Sequence, residues 1–460
     1  MKRSEYWNEI DKQAKKDKSN LGKEVFHALE GTSWQELKKD PEQIKRLDRL
    51  VELEVKHSNK MCTAPFNSLY IGQHNRVSHC CASRYPIGDS SKNSLTEIMH
   101  GKESINIRKD MLNHLYHKHC DSCNFYEQQT KNIHPIRSFW KQYKFPRANV
   151  RTNGTMKKDQ IRFLDLLFSN KCNFACMGCT PELSSTIAEK YMDAYDTVLD
   201  GGARNTQFWE NDHDDVINYM IKHQDTIHKI HLNGGEPLMQ VGVHKLLEAM
   251  LEHGLHKKIK IWTHTNGSIR KYKGKDIIKD YLSNWGELCD VQLSHDLHYE
   301  RGEYVRYGLV TKKWEDTLYR LMDCNVNLTI ANSYCIFNVL HLESLYDYYR
   351  NTLKTDHRIK MSMQEWTSPR VFSAPMAQFD TVIFQNANRQ IKKMKHYMNS
   401  DEGMCWNLDS MKALLNSKWS DDDNKKHKKT FKIAIDAFDK SRNTDFLTTF
   451  PELKNLYYLN

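Results

Sequence analysis

Leu164-Asp-Leu-Leu-Phe-Ser-Asn-Lys-Cys172-Asn-Phe-Ala-Cys176-Met-Gly-Cys179 is the stretch that decides how the rest of this chain is read. An apolar run with the composition of a buried strand ends at Phe168. A short loop then delivers three cysteines, with three residues between the first pair and two between the second. Structural zinc takes four ligands, commonly from two separated Cys-x-x-Cys knuckles. Three thiolates on one bend, with no obvious fourth, suit a cubane iron–sulfur cluster that keeps one iron open. Buried structural cysteines, or a zinc site completed by a distant histidine, are the competing readings.

Downstream, the chain alternates strand and helix signals from 155 to 365, which predicts a parallel sheet of βα units. The strand candidates are Ile161–Phe168, Lys229–Leu232, Lys258–Thr263, Val291–Ser294, Asn327–Ala331 and Lys360–Met363. Helical runs such as Val241–Glu252, Trp314–Met322 and His341–Tyr349 lie between them. In barrels of such units the chemistry gathers at the C-terminal strand ends. The second strand runs into Leu232-Asn233-Gly234-Gly235-Glu236-Pro237, about 55 residues after the cysteine loop. Two glycines let backbone approach a ligand closely, and a carboxylate beside exposed backbone suits an ammonium group. The third strand ends in Thr263-His-Thr265-Asn266-Gly267 and the fourth in Ser294-His-Asp296. Short polar side chains there can bond a sugar hydroxyl, or simply form turns.

The cysteine spacing together with the Gly-Gly-Glu-Pro turn resembles the radical S-adenosylmethionine (radical SAM) superfamily. The resemblance covers roughly 300 residues, from Cys62 to about Met363. It implies an α/β fold, a partial, six-unit βα TIM-like barrel over 155–365. Cys172, Cys176 and Cys179 would hold a 4Fe–4S cluster whose open iron takes the amino and carboxylate groups of S-adenosylmethionine. Reductive cleavage would then give a 5′-deoxyadenosyl radical that abstracts hydrogen from a substrate C–H bond. Asn233, Gly234, Gly235, Glu236, Pro237, Thr265, Asn266, Ser294 and Asp296 match the family's cofactor-binding positions. Arg306 and Asn338 also resemble recurrent positions, with surface roles as the competing reading. One departure stands out: the family's aromatic residue before the third cysteine, near the adenine, is Gly178 here. Adenine contact then falls to another residue, Phe174 or Met177.

Residues 61–150 carry a second set of cysteines. A probable strand, Ser68–Ile71, a turn at His74-Asn75-Arg76 and a second strand ending at Cys80-Cys81 would bring Cys62 and Cys80 together at one end of a hairpin. Ser94-Leu-Thr-Glu97 has capping-box spacing. The helical region after it leads to the knuckle Cys120-Asp-Ser-Cys123. This segment is similar to the twitch/SPASM auxiliary-cluster modules of radical SAM enzymes, with Asn75 where those modules have glycine. Asparagine tolerates a left-handed turn best after glycine. The resemblance implies an auxiliary iron–sulfur cluster on Cys62, Cys80, Cys120 and Cys123, suited to electron transfer. A zinc ribbon on the same four, and Cys81 in place of Cys80, stay open. His114, His117 and His119 read as solvated helix-face residues rather than ligands.

The ends of the chain show no chemistry. Residues 1–60 read as helices, with a capping box at Ser33–Glu36 and a helix start at Asp40-Pro41. Residues 366–460 read as a mostly helical extension. Its charge run, Ser420–Lys429, suits a solvated loop or helix face, and Phe431–Phe438 an amphipathic helix. Cys405 reads as packing rather than as a ligand. A net charge of +10 over 460 residues, spread rather than clustered, does not point to nucleic acid. No apolar run reaches the ~18 residues of a membrane span, and the polar start lacks a signal core. The chain is therefore expected in the cytoplasm, where twelve cysteines imply metal or redox chemistry rather than disulfides. By resemblance the substrate is a peptide or protein side chain, with a sugar or nucleotide as alternative, and the reductant a flavodoxin or ferredoxin. The rival class is a zinc-binding interaction module without catalysis.

Overall fold

The computed structural model describes residues 61–459 apart from 84, 114, 116, 131–134, 144–148, 200–207, 212 and 367. The helices expected in 1–60, with the Ser33–Glu36 box and the Asp40-Pro41 start, lie outside the described residues, as does His114. The chain forms two compact units. One takes the described residues up to Leu166 together with Asp212–Ile230, and the other takes Leu167–Asn211 and His231 onward.

In the first unit β1 (Ser68–Ile71) pairs antiparallel with β2 (Arg76–Ser78), which pairs antiparallel with β3 (Gly88–Asp89). The β1–β2 turn places His74 and Asn75 at φ 55° and 59°. Asn75 thus holds the left-handed conformation that its glycine-like place requires. The second hairpin strand stops at Ser78, short of Cys80-Cys81, so those two cysteines lie in the turn that follows. Next come α1 (Leu95–His100), α2 (Lys102–Leu112) and α3 (Asp121–Thr130). The capping box closes α1: Glu97 N–H donates to Ser94 Oγ at 3.3 Å, and Ser94 N–H donates to Glu97 Oε2 at 2.9 Å. Arg108 of α2 is fully buried and donates to the carbonyls of Gly154 and Met99, both at 2.8 Å. On the other side β1 pairs parallel with β4 (Phe163–Leu167), whose five residues are all buried. The amphipathic α4 (Asp214–Lys222) completes this unit.

The second unit is a parallel sheet with helices. Its strands are β6 (Lys229–Asn233, entering the unit at His231), β7 (Lys260–Thr265), β8 (Cys289–Ser294), β10 (Asn327–Tyr334), β11 (Lys360–Glu365) and β12 (Met404–Trp406), side by side in that order. The pairs from β7 to β12 are parallel. A two-residue pair outside this sheet joins β5 (Ala175–Cys176) antiparallel to β9 (Arg306–Tyr307). Alternation drives β7 and β8: each buries every second residue. The helices α5 (Val241–Glu252), α7 (Thr311–Met322) and α8 (Leu342–Asp347) fall between strands, as the periodicity predicts, and the short α6 (Tyr299–Val305) precedes α7.

One feature of the C-terminal part differs from expectation. This part contributes a strand, β12, beside α9 (Thr381–Ser400), α10 (Leu408–Leu415) and α11 (Asp421–Arg442). Cys405, on β12, is exposed. Of the two readings of the charge run, the helix holds: it is the first half of α11. Three aspartates in its first turn suit the positive end of the helix dipole, and Ser420 caps it by accepting from Asp423 N–H at 3.1 Å. The second half buries Phe431, Ala434, Ile435 and Phe438. Among the described residues no helix is long and apolar enough to cross a membrane.

Candidate metal and cofactor site

The three cysteines of the loop line one cavity of about 330 Å³ in the second unit. The other walls come from the C-terminal ends of the strands: Gly235 and Glu236 after β6, Thr265 and Asn266 from β7, Ser294 and Asp296 from β8, Ser333 from β10, Glu365 and Trp366 from β11. Six of the nine anticipated cofactor positions are thus brought together. Asn233, Gly234 and Pro237 do not line the cavity. Asn233 bonds its own neighbour's N–H, Gly234 makes the turn at φ 129°, and Pro237 is buried.

The glycine pair serves the cysteine loop as well as the cavity. Gly235 N–H donates to Ser169 O and Glu236 N–H to Lys171 O, at 3.3 and 2.8 Å. A Cβ on Gly235 would stand 2.3 Å from Lys171 O and 2.8 Å from Asn170 O. Both are backbone atoms, so no rotamer relieves the clash. Gly235→Ala is therefore expected to displace the cysteine loop and lower retained iron by about half, with secondary structure unchanged; iron analysis beside circular dichroism checks this.

Glu236 is buried rather than beside exposed backbone. Its carboxylate accepts from Asn266 N–H at 2.6 Å, Thr265 Oγ1–H at 2.8 Å and Leu238 N–H at 3.1 Å, so it ties the end of β6 to the end of β7. Burial pushes its pKa up to about 7 despite those three donors.

Cys176 sits in a clamp. β5 and β9 set Cys176 opposite Arg306. Arg306 is not a surface residue: its side chain is 15% exposed, with Nε 2.8 Å from Asp296 Oδ2. Asp296 Oδ1 accepts in turn from Ser333 N–H at 2.7 Å. On the other side Arg442, in the last turn of α11, donates to Ala175 O at 2.7 Å and to Tyr195 Oη at 3.0 Å. The Tyr195 hydroxyl donates to Cys176 O. Burial raises the Cys176 thiol pKa, while Arg306 and Arg442 pull it back towards the thiolate. Cys172 and Cys179 are also pushed up by burial, Cys179 to about 12, and neighbouring thiols of the trio add to both shifts. Asn338, the other position given a surface alternative, is fully buried and bonds Cys335 N–H, Asp296 O and Ser333 O.

Gly178 is filled from across the cavity. A Cβ there would meet the six-membered ring of Trp366 at 2.5–2.8 Å. That ring belongs to a residue 188 positions later. Phe174 also lines the cavity; Met177 is buried away from it.

In the first unit, burial raises the pKa of the Cys80 thiol well above its ordinary value, and the charges of Cys81, Cys62, Cys120 and Cys123 add to this in that order. Burial likewise pushes Cys81, Cys120 and Cys123 up to about 12. Buried Arg137 opposes the rise at Cys62, Cys120 and Cys123, and it is held by Glu127 at 2.7 Å. Cys81 shares this neighbourhood with Cys80.

The donor sets suit clusters better than single ions. Ligands on one tetrahedral zinc with Zn–S near 2.3 Å stand about 3.8 Å apart. Among the described residues no three cysteine sulfurs lie within 4.8 Å of one another, and none of the twelve cysteines is in a disulfide. A cubane spreads its cysteines over separate irons, which this wider spacing permits.

Comparison with known proteins agrees with the cysteine geometry. Residues 161–305 match the family model of a 4Fe-4S single cluster domain, and residues 62–124 match that of the SPASM iron–sulfur cluster-binding domain. No curated protein matches the chain. Similar solved structures include anSMEcpe with bound AdoMet, at 18% identity over 53% of this chain and 62% of that one, with a TM-score of 0.37. SuiB of Streptococcus suis, bound to S-adenosylmethionine, shares 14% identity over 68% and 69%, with a TM-score of 0.38. The methyltransferase TsrM of Kitasatospora setae shares 13% over 44% and 36%, with a TM-score of 0.30. The chain thus spans less than two thirds of the first of these relatives. With a cluster-domain match over each of its two cysteine groups, this chain carries a SPASM iron–sulfur cluster-binding domain ahead of a 4Fe-4S single cluster domain that includes its three-cysteine loop.

Proposed function

We propose that this protein is a radical SAM enzyme that acts on a C–H bond of a peptide or protein side chain. The observation that carries the proposal is the convergence of Cys172, Cys176 and Cys179 on one cavity that no fourth cysteine lines. When bound there, a 4Fe–4S cluster supplies the electron that converts S-adenosylmethionine into a 5′-deoxyadenosyl radical. The chain's own residues hold and shelter that site. Glu236 locks the β6 and β7 ends, leaving Gly235 and Asn266 to face the cofactor's amino-acid portion. The Ser294 and Ser333 hydroxyls offer bonds to its ribose. Trp366 and Phe174 wall the cavity with aromatic surface suited to an adenine ring and to excluding water. A partial barrel of six βα units over 155–365, from Ile161–Phe168 to Lys360–Met363, is part of the same reading.

Cys62, Cys80, Cys120 and Cys123 together leave no iron open, so the auxiliary site suits electron transfer during a net oxidation. A flavodoxin or ferredoxin is the proposed reductant. The peptide substrate rests on the auxiliary module, which accompanies peptide modification in relatives. Structures of anSMEcpe and SuiB each include a peptide, Cp18Cys and the precursor SuiA respectively. A sugar or nucleotide is the alternative.

The test is formation of 5′-deoxyadenosine by the reconstituted, dithionite-reduced protein supplied with S-adenosylmethionine. Formation supports the proposal; its absence with both clusters present contradicts it. Trp366→Ala is expected to raise the dissociation constant for S-adenosylmethionine by about tenfold, from loss of roughly 1–1.5 kcal/mol of ring contact. Gly178→Phe combined with Trp366→Ala restores part of it. Equilibrium binding of labelled cofactor checks both.

A further inference from the structure

We propose that Glu103, His117 and His119 form a separate divalent-metal site, suited to zinc, in the first unit. One ligating atom from each lies within 4.8 Å of the other two, and they are the sole such trio of His, Cys, Asp and Glu among the described residues. The two histidines are not on a solvated helix face. His119 sits in the short turn Lys118–Cys120 and is 4% exposed, and the His117 side chain is 10% exposed.

The hydrogen bonds fix which nitrogens are available. His119 Nε2 is 3.3 Å from the carbonyl of Pro86, which can only accept, so the contact is a hydrogen bond in the tautomer that carries the proton on Nε2. The neutral ring then has a lone pair on Nδ1. His119 N–H donates to His117 Nδ1 at 3.3 Å, so that nitrogen is a lone pair as well. These two Nδ1 atoms stand 3.1 Å apart. A metal cation, or a proton held between the rings, relieves the repulsion of two lone pairs at that distance. Ligands on one tetrahedral zinc with Zn–N of 2.0–2.1 Å are separated by about 3.3 Å, close to the spacing found. Glu103, exposed and free to adjust, supplies an anionic oxygen. Asp110 Oδ2 lies 3.9 Å from His117 Nε2 on the outer side, where a carboxylate commonly orients a metal-bound imidazole. The open side of a three-ligand set takes water, as at zinc sites that are not closed.

Zinc titration of the cluster-loaded full chain, by calorimetry under anaerobic conditions, tests this. The parent is expected to bind one zinc. Zinc-edge X-ray absorption should give nitrogen and oxygen neighbours near 2.0–2.1 Å with no sulfur shell near 2.3 Å. His117→Ala and Glu103→Gln should each weaken binding by about tenfold or more, on the scale of losing one ligand, with iron content unchanged. Glu103 is exposed, so its variant tests the site without disturbing the fold. No zinc bound, a sulfur shell, or a Glu103→Gln protein that binds like the parent would each overturn the assignment.

Discussion

Cys172→Ala, Cys176→Ala and Cys179→Ala together should leave about half the iron of the reconstituted parent and abolish 5′-deoxyadenosine formation. The expectation is about eight irons falling to about four, since each cubane holds four. The remaining iron belongs to Cys62, Cys80, Cys120 and Cys123, which lie in a separate compact unit with its own core. The reciprocal variant, with those four replaced, should also lose about half the iron. It should still cleave S-adenosylmethionine, because electron delivery by dithionite bypasses the auxiliary site. Iron analysis and chromatography of the nucleoside product read out both. Equal iron in the parent and the triple variant would refute the loop as a cluster site.

The second large effect concerns stability at the clamp. Arg306 and Asp296 form a largely buried pair beside Cys176, with Asp296 also bonded to Ser333 N–H. Arg306→Ala leaves a buried carboxylate without its cation, which costs about 3–5 kcal/mol. The double variant Arg306→Met, Asp296→Asn removes both charges and should cost less than Arg306→Ala alone, because the penalty lies mainly in the orphaned charge. Denaturant unfolding of the apo chain measures the pair of values. A cost for Arg306→Ala below that of the double variant would contradict the buried-pair account. Arg306→Ala should also weaken iron retention at the loop, since a cation that favours the Cys176 thiolate is lost.

What the sequence made legible was local. The Cys172–Cys179 spacing, the Gly-Gly-Glu-Pro turn and the strand ends at Thr265 and Ser294 are each written in a few neighbouring residues. The structure puts them round one cavity. Asn75 could be read as a glycine substitute because φ near 60° is a property of one residue and its neighbours. The Ser94–Glu97 capping box was legible for the same reason.

What stayed hidden is long-range. Arg442 reaches Ala175 across 267 residues of chain, and nothing near Arg442 marks it except its place at the end of an amphipathic helix. Trp366 fills the space over Gly178 only because β11 ends beside the cysteine loop. A glycine where an aromatic residue is expected was the available signal that another ring would be needed. Glu236 read as a carboxylate beside exposed backbone because Gly-Gly-Glu-Pro looks like a turn. The three donors that pay for its burial come from Thr265, Asn266 and Leu238, two of them on another strand end. His117 and His119 read as solvated because their spacing carries no packing information; Pro86, far off in sequence, fixes His119.

The most direct measurement of the central claim is the electron paramagnetic resonance spectrum of the reduced protein with and without S-adenosylmethionine. If three cysteines of one loop leave an iron open to the cofactor, one cluster signal should shift on its addition and the other should not. The shifting signal should be missing from the Cys172, Cys176, Cys179 triple-alanine protein. A parent spectrum unchanged by saturating S-adenosylmethionine, or a shift that survives in the triple variant, would contradict the account.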